Sequence, residues 1–375
     1  MSARAPVAIE AAAHAAEGPV LLYDLAAIAA RIAAMRAAAQ ASRVGVLAAV
    51  KAVAIAPVLA LAASSFDGLD VAGPDEDAAV TAHRPAVVSV TYPGGATAAR
   101  LHALVAPGRR VVVSCETAAQ VAAAAAVPGV ELVLRVSSSA LGEVAPGGLR
   151  DADGDHVSRF GVEVAALRAL AAVAPGRVRG LHVHGGALAT SPARLAARAV
   201  AALAAAEAAG LTIERLDVGG SLHGFALDAP TAGQATVAAA LAALRAAVPA
   251  GLELCVEPGR VLTEGCGYAA GRVLVARSIG GLDARVLSLS RLCHLRWSTP
   301  RLCAPPPTVD DRQRLVLVGA TCCEDDVLGD AVVPGAVAAA LGEGALAIVA
   351  GVSGYAAAWN RGFAGVPAAS VIAVG

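Results

Sequence analysis

Eight short β-rich runs punctuate the first 260 residues of this chain, and alanine-rich stretches of helical character separate them. The runs span 44–50, 69–72, 87–91, 111–114, 131–136, 178–184, 214–218 and 252–257. Helices are expected over 26–40, 95–106, 117–126, 163–174, 192–209 and 231–247. Parallel strands need a crossover between them, usually a helix, and eight such units close into a barrel. The spacing therefore predicts an α/β chain with a (β/α)8 barrel over 25–265. Past 265 the rhythm changes. Valine-rich segments at 271–277, 284–289, 315–318 and 346–349 alternate with loops, and 333–341 is the one helix expected there. APPPTVDDRQR (304–314) reads as an exposed loop. VLLYD (20–24) looks like another strand, so 1–24 with 266–375 are expected to form a smaller β-rich domain.

Chemistry in a barrel of this kind collects at the C-terminal ends of its strands. Here the first strand runs out at Lys51, the second carries Asp70 and the fifth carries Arg135. The sixth ends at His184, the seventh leads into Asp217-Val218-Gly219-Gly220, and the eighth ends at Glu257. An amine, an imidazole, carboxylates and a glycine turn at one mouth are a poor choice for packing and a good one for catalysis. Lys51 stands out further because 29 basic residues comprise one lysine and 28 arginines. An arginine stays protonated in a protein, whereas a lysine can become a nucleophilic amine.

Charge and cysteine usage narrow the partners. A net charge of −1 and a pI near 6.7 give no footprint for nucleic acid or an anionic membrane. The longest uncharged stretches, such as 52–66, are too short and too Pro- or Ser-punctuated to span a bilayer. The first 18 residues carry acids and a histidine inside their apolar part, unlike a secretory signal. Seven cysteines, an odd number without metal-finger spacing, fit a reduced, cytoplasmic protein with no bound metal.

Nine stretches, in order, carry a resemblance that covers nearly the whole chain. They are LLYDL (21–25), AVKA (49–52), LDVAGPDE (69–76), RFGV (159–162), GLHVHGG (180–186), LDVGGS (216–221), VEPGR (256–260), GATCCEDDVL (319–328) and SGYAAAW (353–359). Together they resemble the fold-type III pyridoxal-phosphate enzymes of the ornithine/diaminopimelate decarboxylase group. The resemblance implies pyridoxal 5'-phosphate held as a Schiff base on Lys51, a bond that arginine cannot form. It implies that Glu257 meets the pyridine nitrogen, His184 stacks on the ring, and Asp70 orients the charges nearby. The phosphate would rest on Gly219, Gly220 and Ser221, with Arg260 and Tyr355 adding charge and a hydroxyl. Cys322 would return a proton to Cα after CO₂ departs, with Cys323 beside it. Arg135, His294, Arg296, Cys323 and Asp326 are candidates for contacting the substrate. A homodimer with shared active sites is also implied. His182, one layer below His184, is expected to be structural.

The chain departs from the family pattern in places. Ser288-Leu289-Ser290 stands where Asp-Gly-Gly is frequent, and Cys323 follows the cysteine where an acid or amide is usual. Gly186 and Ala187 occupy the place of a phosphate-binding serine. CHLRWST (293–299) is similar to the HHLAAS-type segment of decarboxylases from siderophore and antibiotic pathways, with Arg296 and Trp297 in place of small residues. The expected activity is decarboxylation of an amino acid or amino-acid conjugate rather than of ornithine, lysine or diaminopimelate. An amino-acid racemase and a non-catalytic pyridoxal-phosphate-binding relative are the alternatives.

Overall fold

The computed structural model describes residues 4–143, 149–185, 191–227 and 233–375. Gly186 and Ala187 lie outside these residues, as do the first positions of the helix expected over 231–247. The described chain divides into two compact units. One comprises Arg31–Lys51 with Leu59–Leu262; the other comprises the residues up to Ala30, Ala52–Val58 and Thr263–Gly375.

The first unit holds a closed barrel of eight parallel strands. They are β1 (Gly45–Ala49), β2 (Gly68–Val71), β3 (Val87–Val90), β4 (Arg110–Cys115), β5 (Val130–Arg135), β6 (Val178–His182), β7 (Arg215–Asp217) and β8 (Glu253–Val256). Each strand pairs with its sequence neighbours, and β8 closes on β1. Helices between them include Ala56–Ser65, Ala118–Ala125, Val164–Val173, Pro192–Ala208 and Val237–Ala246. Side-chain hydroxyls of Thr117, Ser191 and Thr236 cap three of these by accepting the first-turn N–H groups.

The strands alternate in character, and alternation decides what faces inward. Leu69, Val71, Leu132, Leu134, Leu181, Leu216, Leu254 and Val256 are buried, and their same-strand neighbours Asp70, Arg135, His182, Arg215 and Asp217 are buried too. Since both faces of a parallel barrel are covered, buried polar parity marks the interior. Register then sets the neighbours: Arg135, His182 and Asp217 lie side by side across β5, β6 and β7. The barrel axis is thus lined by charge where most strand interiors carry aliphatic side chains.

The second unit is built on a sheet of eight strands. Its spine is Gly267–Ile279, which pairs antiparallel with Val20–Asp24, Leu282–Leu287 and Leu346–Ala350. The turn into Leu282–Leu287 uses Gly280 and Gly281, both at positive φ. Gln313–Val318 and Val327–Val333 extend one side, and Ser370–Val374 pairs with Val20–Asp24. A helix over Val7–Ala15, hidden in an alanine-rich sequence, packs Ile9 and Ala13 against Val20, Leu22 and Ala270. Helices Gly335–Ala340 and Tyr355–Trp359 complete the unit. Among the described residues no helix is long and apolar enough to cross a membrane.

Candidate active site

At the C-terminal end of β1 the chain leaves the ladder in a single tight turn, Val50–Ala52, which carries Lys51. Its Nζ donates to Asp70 Oδ2 at 2.9 Å, and Thr91 Oγ1 donates to Asp70 Oδ1 at 2.9 Å. Burial alone would push the Asp70 carboxyl up; the Lys51 ammonium and the Thr91 hydroxyl outweigh it and hold it below the usual carboxylate range. Lys51 is still one-third exposed, so its amine is both oriented by a buried charge and open to a reactant.

Glu257, the residue after β8, is buried, and its Oε1 has no hydrogen-bond partner. Burial, with Asp70 adding like charge, lifts its pKa to about 8. His182 Nε2 stands 3.6 Å from the other carboxylate oxygen, and His182 Nδ1 lies 2.8 Å from Ser114 Oγ. Burial, with Arg135 alongside, presses His182 down to about 4, so its ring is neutral at physiological pH. His184, two residues past it on the same face, is half-buried. Loss of solvent there, with Arg135 and Lys51 close by, holds it well below the ordinary imidazole value. Arg135 itself is paired with Glu116 at 3.2 Å, and its guanidinium lies 4.5 Å over the Phe160 ring.

The loop after β7 explains its glycines. Gly219 has φ +68°, and a Cβ there would fall 2.7 Å from His184 Cδ2. Asp217 Oδ1 accepts the Gly219 N–H at 2.9 Å, tightening the turn. Ser221 also adopts positive φ, and its buried Oγ lacks a partner. Arg260 opens the short helix Arg260–Thr263. Beneath this turn a buried ion pair, Arg198 Nε to Glu143 Oε1 at 2.7 Å, sends a guanidinium N–H to Val218 O at 3.4 Å.

The remaining expected residues belong to the sheet-rich unit. Cys322 and Cys323 lie in the loop between Gln313–Val318 and Val327–Val333; Cys322 is exposed and Cys323 half-buried. Asp326 orders this loop. Its Oδ1 accepts from Ser290 Oγ at 3.1 Å and Arg291 N at 2.7 Å, and its Oδ2 accepts from Thr321 N at 3.1 Å and Oγ1 at 2.6 Å. His294 is buried, with Nδ1 accepting from Ser290 N at 3.1 Å and Nε2 at 2.8 Å from Pro367 O. Both Asp326 and His294 therefore serve their own loops in this structure. Arg296 lies over the Trp359 ring at 4.9 Å, and Tyr355 meets Trp297 edge-on with centroids 4.9 Å apart.

The barrel side chains suit pyridoxal phosphate: an accessible amine, an unpartnered carboxylate oxygen for a ring nitrogen, an imidazole platform, and a glycine turn ending in an unpartnered hydroxyl. Residues 25–264 match the family of pyridoxal-dependent decarboxylases, over its pyridoxal binding domain. The chain belongs to the pyridoxal-dependent decarboxylases. Members of that family are enzymes that act with pyridoxal phosphate. No curated protein sequence matches the chain. Among solved structures it is similar to the arginine decarboxylase of Paramecium bursaria Chlorella virus, at 18% identity and a TM-score of 0.78 over 98% of this chain and 99% of that one. The lysine/ornithine decarboxylase of Vibrio vulnificus gives 20% identity and 0.75, covering 98% and 97%. The lysine decarboxylase of Selenomonas ruminantium gives 21% identity and 0.73, covering 97% and 94%. At these identities the likeness establishes the shared fold, a barrel with a sheet-rich companion.

Sequence reading did not single out Ser114, Thr91, Glu116 or the Arg198–Glu143 pair. Each partner comes from a different strand, helix or loop, so only the folded structure reveals it.

Proposed function

We propose that this pyridoxal-dependent decarboxylase family member removes the α-carboxylate of an amino acid or amino-acid conjugate, within siderophore or other secondary metabolism. The observation that carries the reading is the pairing, in one barrel, of the chain's sole lysine amine with a buried carboxylate oxygen, Glu257 Oε1, that nothing in the described protein answers. Residues 25–265 are the cofactor-binding domain, and 1–24 with 266–375 are the β-rich domain.

When bound, pyridoxal phosphate supplies the electron sink that accepts the electron pair left by the departing carboxylate. Lys51 would hold the cofactor through its Nζ as a Schiff base, and Asp70 orients that amine. Glu257 would meet the ring nitrogen, His184 would cover a ring face, and Gly219, Gly220 and Ser221 would hold the phosphate with Arg260 and Tyr355. Cys322 places a proton on Cα as a general acid. Arg135, Arg296 and Cys323 contact the substrate, and His294 and Asp326 support the segments that carry Arg296 and Cys322. The enzyme is cytoplasmic and works as a homodimer with shared sites. The CHLRWST segment supports a substrate other than the basic amino acids. The Vibrio and viral structures hold putrescine and agmatine, both products of basic amino acids.

The single lysine makes the test simple. Purified protein supplied with pyridoxal phosphate is reduced with borohydride and its peptides are weighed. The expected result is a phosphopyridoxyl group on Lys51 and CO₂ release from one member of a substrate panel. An unmodified Lys51 without imine absorbance would overturn the reading, and Cα scrambling without CO₂ would make the protein a racemase.

A further inference from the structure

Glu257 is grouped with two buried side chains, His182 and Asp217, that the proposed reaction leaves unused. One donor atom from each of His182, Asp217 and Glu257 falls within 4.8 Å of the other two. His182 Nε2, Asp217 Oδ2 and Glu257 Oε1 are all buried without a hydrogen-bond partner. Charge accounting around them is one-sided. Lys51 pairs with Asp70, Arg135 with Glu116, and Arg215 with Glu253. Arg215 Nη2 approaches Asp217 Oδ2 no closer than 3.8 Å. Every cation facing the group from β1, β5 or β7 thus answers another carboxylate more closely; among the described residues Asp217 keeps only the long Arg215 pair, and Glu257 has no cation of its own.

Two carboxylates that share one long ion pair, shut away from water beside an imidazole, cannot both be ionised freely, because each negative charge raises the other's affinity for a proton. Such a group titrates as a unit. We propose that Asp217 and His182 are positioning residues that form with Glu257 a buried proton store, keeping a proton on the Glu257 carboxyl until a basic ring nitrogen reaches Oε1. The proton then passes to the nitrogen lone pair and Glu257 is left as the carboxylate; no oxidation or reduction occurs. Burial agrees with this order: it lifts Glu257 to about 8 and Asp217 to about 7 while His182 falls to about 4, so at pH 7.5 Glu257 keeps its proton, Asp217 carries the charge beside it, and the imidazole is neutral. Lys51, Asp70 and Arg135 also face Glu257, and Arg135, Asp70 and Lys51 face His182. The proposal rests on the pyridoxal-phosphate reading above.

The test counts protons. Pyridoxal phosphate is titrated calorimetrically into the cofactor-free protein at pH 7.5 in buffers of different ionisation enthalpy, with imine absorbance followed in parallel. Asp217→Asn keeps an oxygen for the Gly219 N–H but removes the charge. Glu257 then starts ionised more often, and the variant should take up roughly half a proton per site or more beyond the wild type. The free cofactor and the Lys51 reaction are common to both titrations and cancel in the difference. Asp217→Ser, which also removes the charge, should shift the number the same way and carries the test where Asp217→Asn does not fold. Equal proton numbers in all three proteins, with imine absorbance intact, would overturn the proposal. So would a stoichiometric divalent metal in the purified protein that is lost in His182→Gln, since the group would then be a metal site. Missing imine absorbance in the wild type would remove the cofactor reading itself, and this proposal with it.

Discussion

The two units carry their chemical groups in opposite ways. In the barrel, Lys51, Asp70, His184 and Glu257 sit on or just past the ends of parallel strands, and Asp70 and Glu257 are buried. In the sheet-rich unit, Cys322 and Arg296 sit on loops and are exposed, and Tyr355 starts a five-residue helix. A buried polar group must be answered locally or it costs stability, so Asp70, His182 and Arg135 are held by Thr91, Ser114 and Glu116, while Glu257 Oε1 goes unanswered. An exposed thiol is under no such obligation. Under the proposed reading the two units have different duties: the barrel would hold the cofactor, and the loops of the other unit would meet the substrate.

Substitutions should obey that division. Lys51→Ala should remove imine absorbance and turnover together, with a loss on the order of 10^4 or more, the scale of deleting a covalent nucleophile. Absorbance spectroscopy and CO₂ release check it, and turnover that survives would break the barrel's claim to the chemistry. Cys322→Ala should slow turnover by about 10²-fold, within the range for a lost general acid, while cofactor absorbance and affinity stay unchanged. A thiol reagent used in limiting amount should mark Cys322 before the buried Cys115, Cys255, Cys266 and Cys293. Weaker cofactor binding in Cys322→Ala would blur the comparison.

Gly219→Ala tests the barrel from its backbone. An L-residue at φ +68° costs about 1–2 kcal/mol, and the new methyl would press on His184. Cofactor affinity should fall roughly tenfold, read by titration of imine absorbance, with turnover at saturating cofactor changed far less. An unchanged affinity would mean that the turn is not part of the phosphate cradle.

Much of this was readable from residue order, and the part that was not has a physical reason. The placing of His182 one layer below His184 was readable because strand parity is local. The lone lysine and the Gly219-Gly220 turn were legible for the same reason. Partnership across strands is not local. Ser114 and Thr91 look like ordinary strand hydroxyls until register sets them against His182 and Asp70. Arg198 and Glu143 are 55 positions apart. Asp326 reads as an acid beside a reactive cysteine, yet both its oxygens are committed to the loop. The helix Val7–Ala15 was missed because alanine suits either face and blurs the period.

The smallest expected effect sharpens the comparison on the barrel side. A carboxyl whose pKa is higher folded than unfolded keeps its proton longest in the folded state. Its stabilising contribution is intact below the unfolded value and is lost as pH rises through the folded one. Burial lifts Glu257 from an ordinary 4.5 to about 8, and lifts Asp217, with Glu257 beside it, from 3.8 to about 7. Asp70 acts in the opposite sense, since its carboxyl is held low and its contribution fails only in acid. His182 is depressed, so what it contributes is complete once the pH exceeds the ordinary imidazole value of 6.5. Between about pH 6.5 and 8.5 the raised carboxyls are therefore the groups that move. The cofactor-free protein should lose on the order of 5 °C in Tm across that window by scanning calorimetry. Glu257→Gln, which cannot ionise, should flatten the decline while leaving the sheet-rich unit untouched. A slope that survives the substitution would place the pH sensitivity outside the barrel and weaken the contrast between the two units.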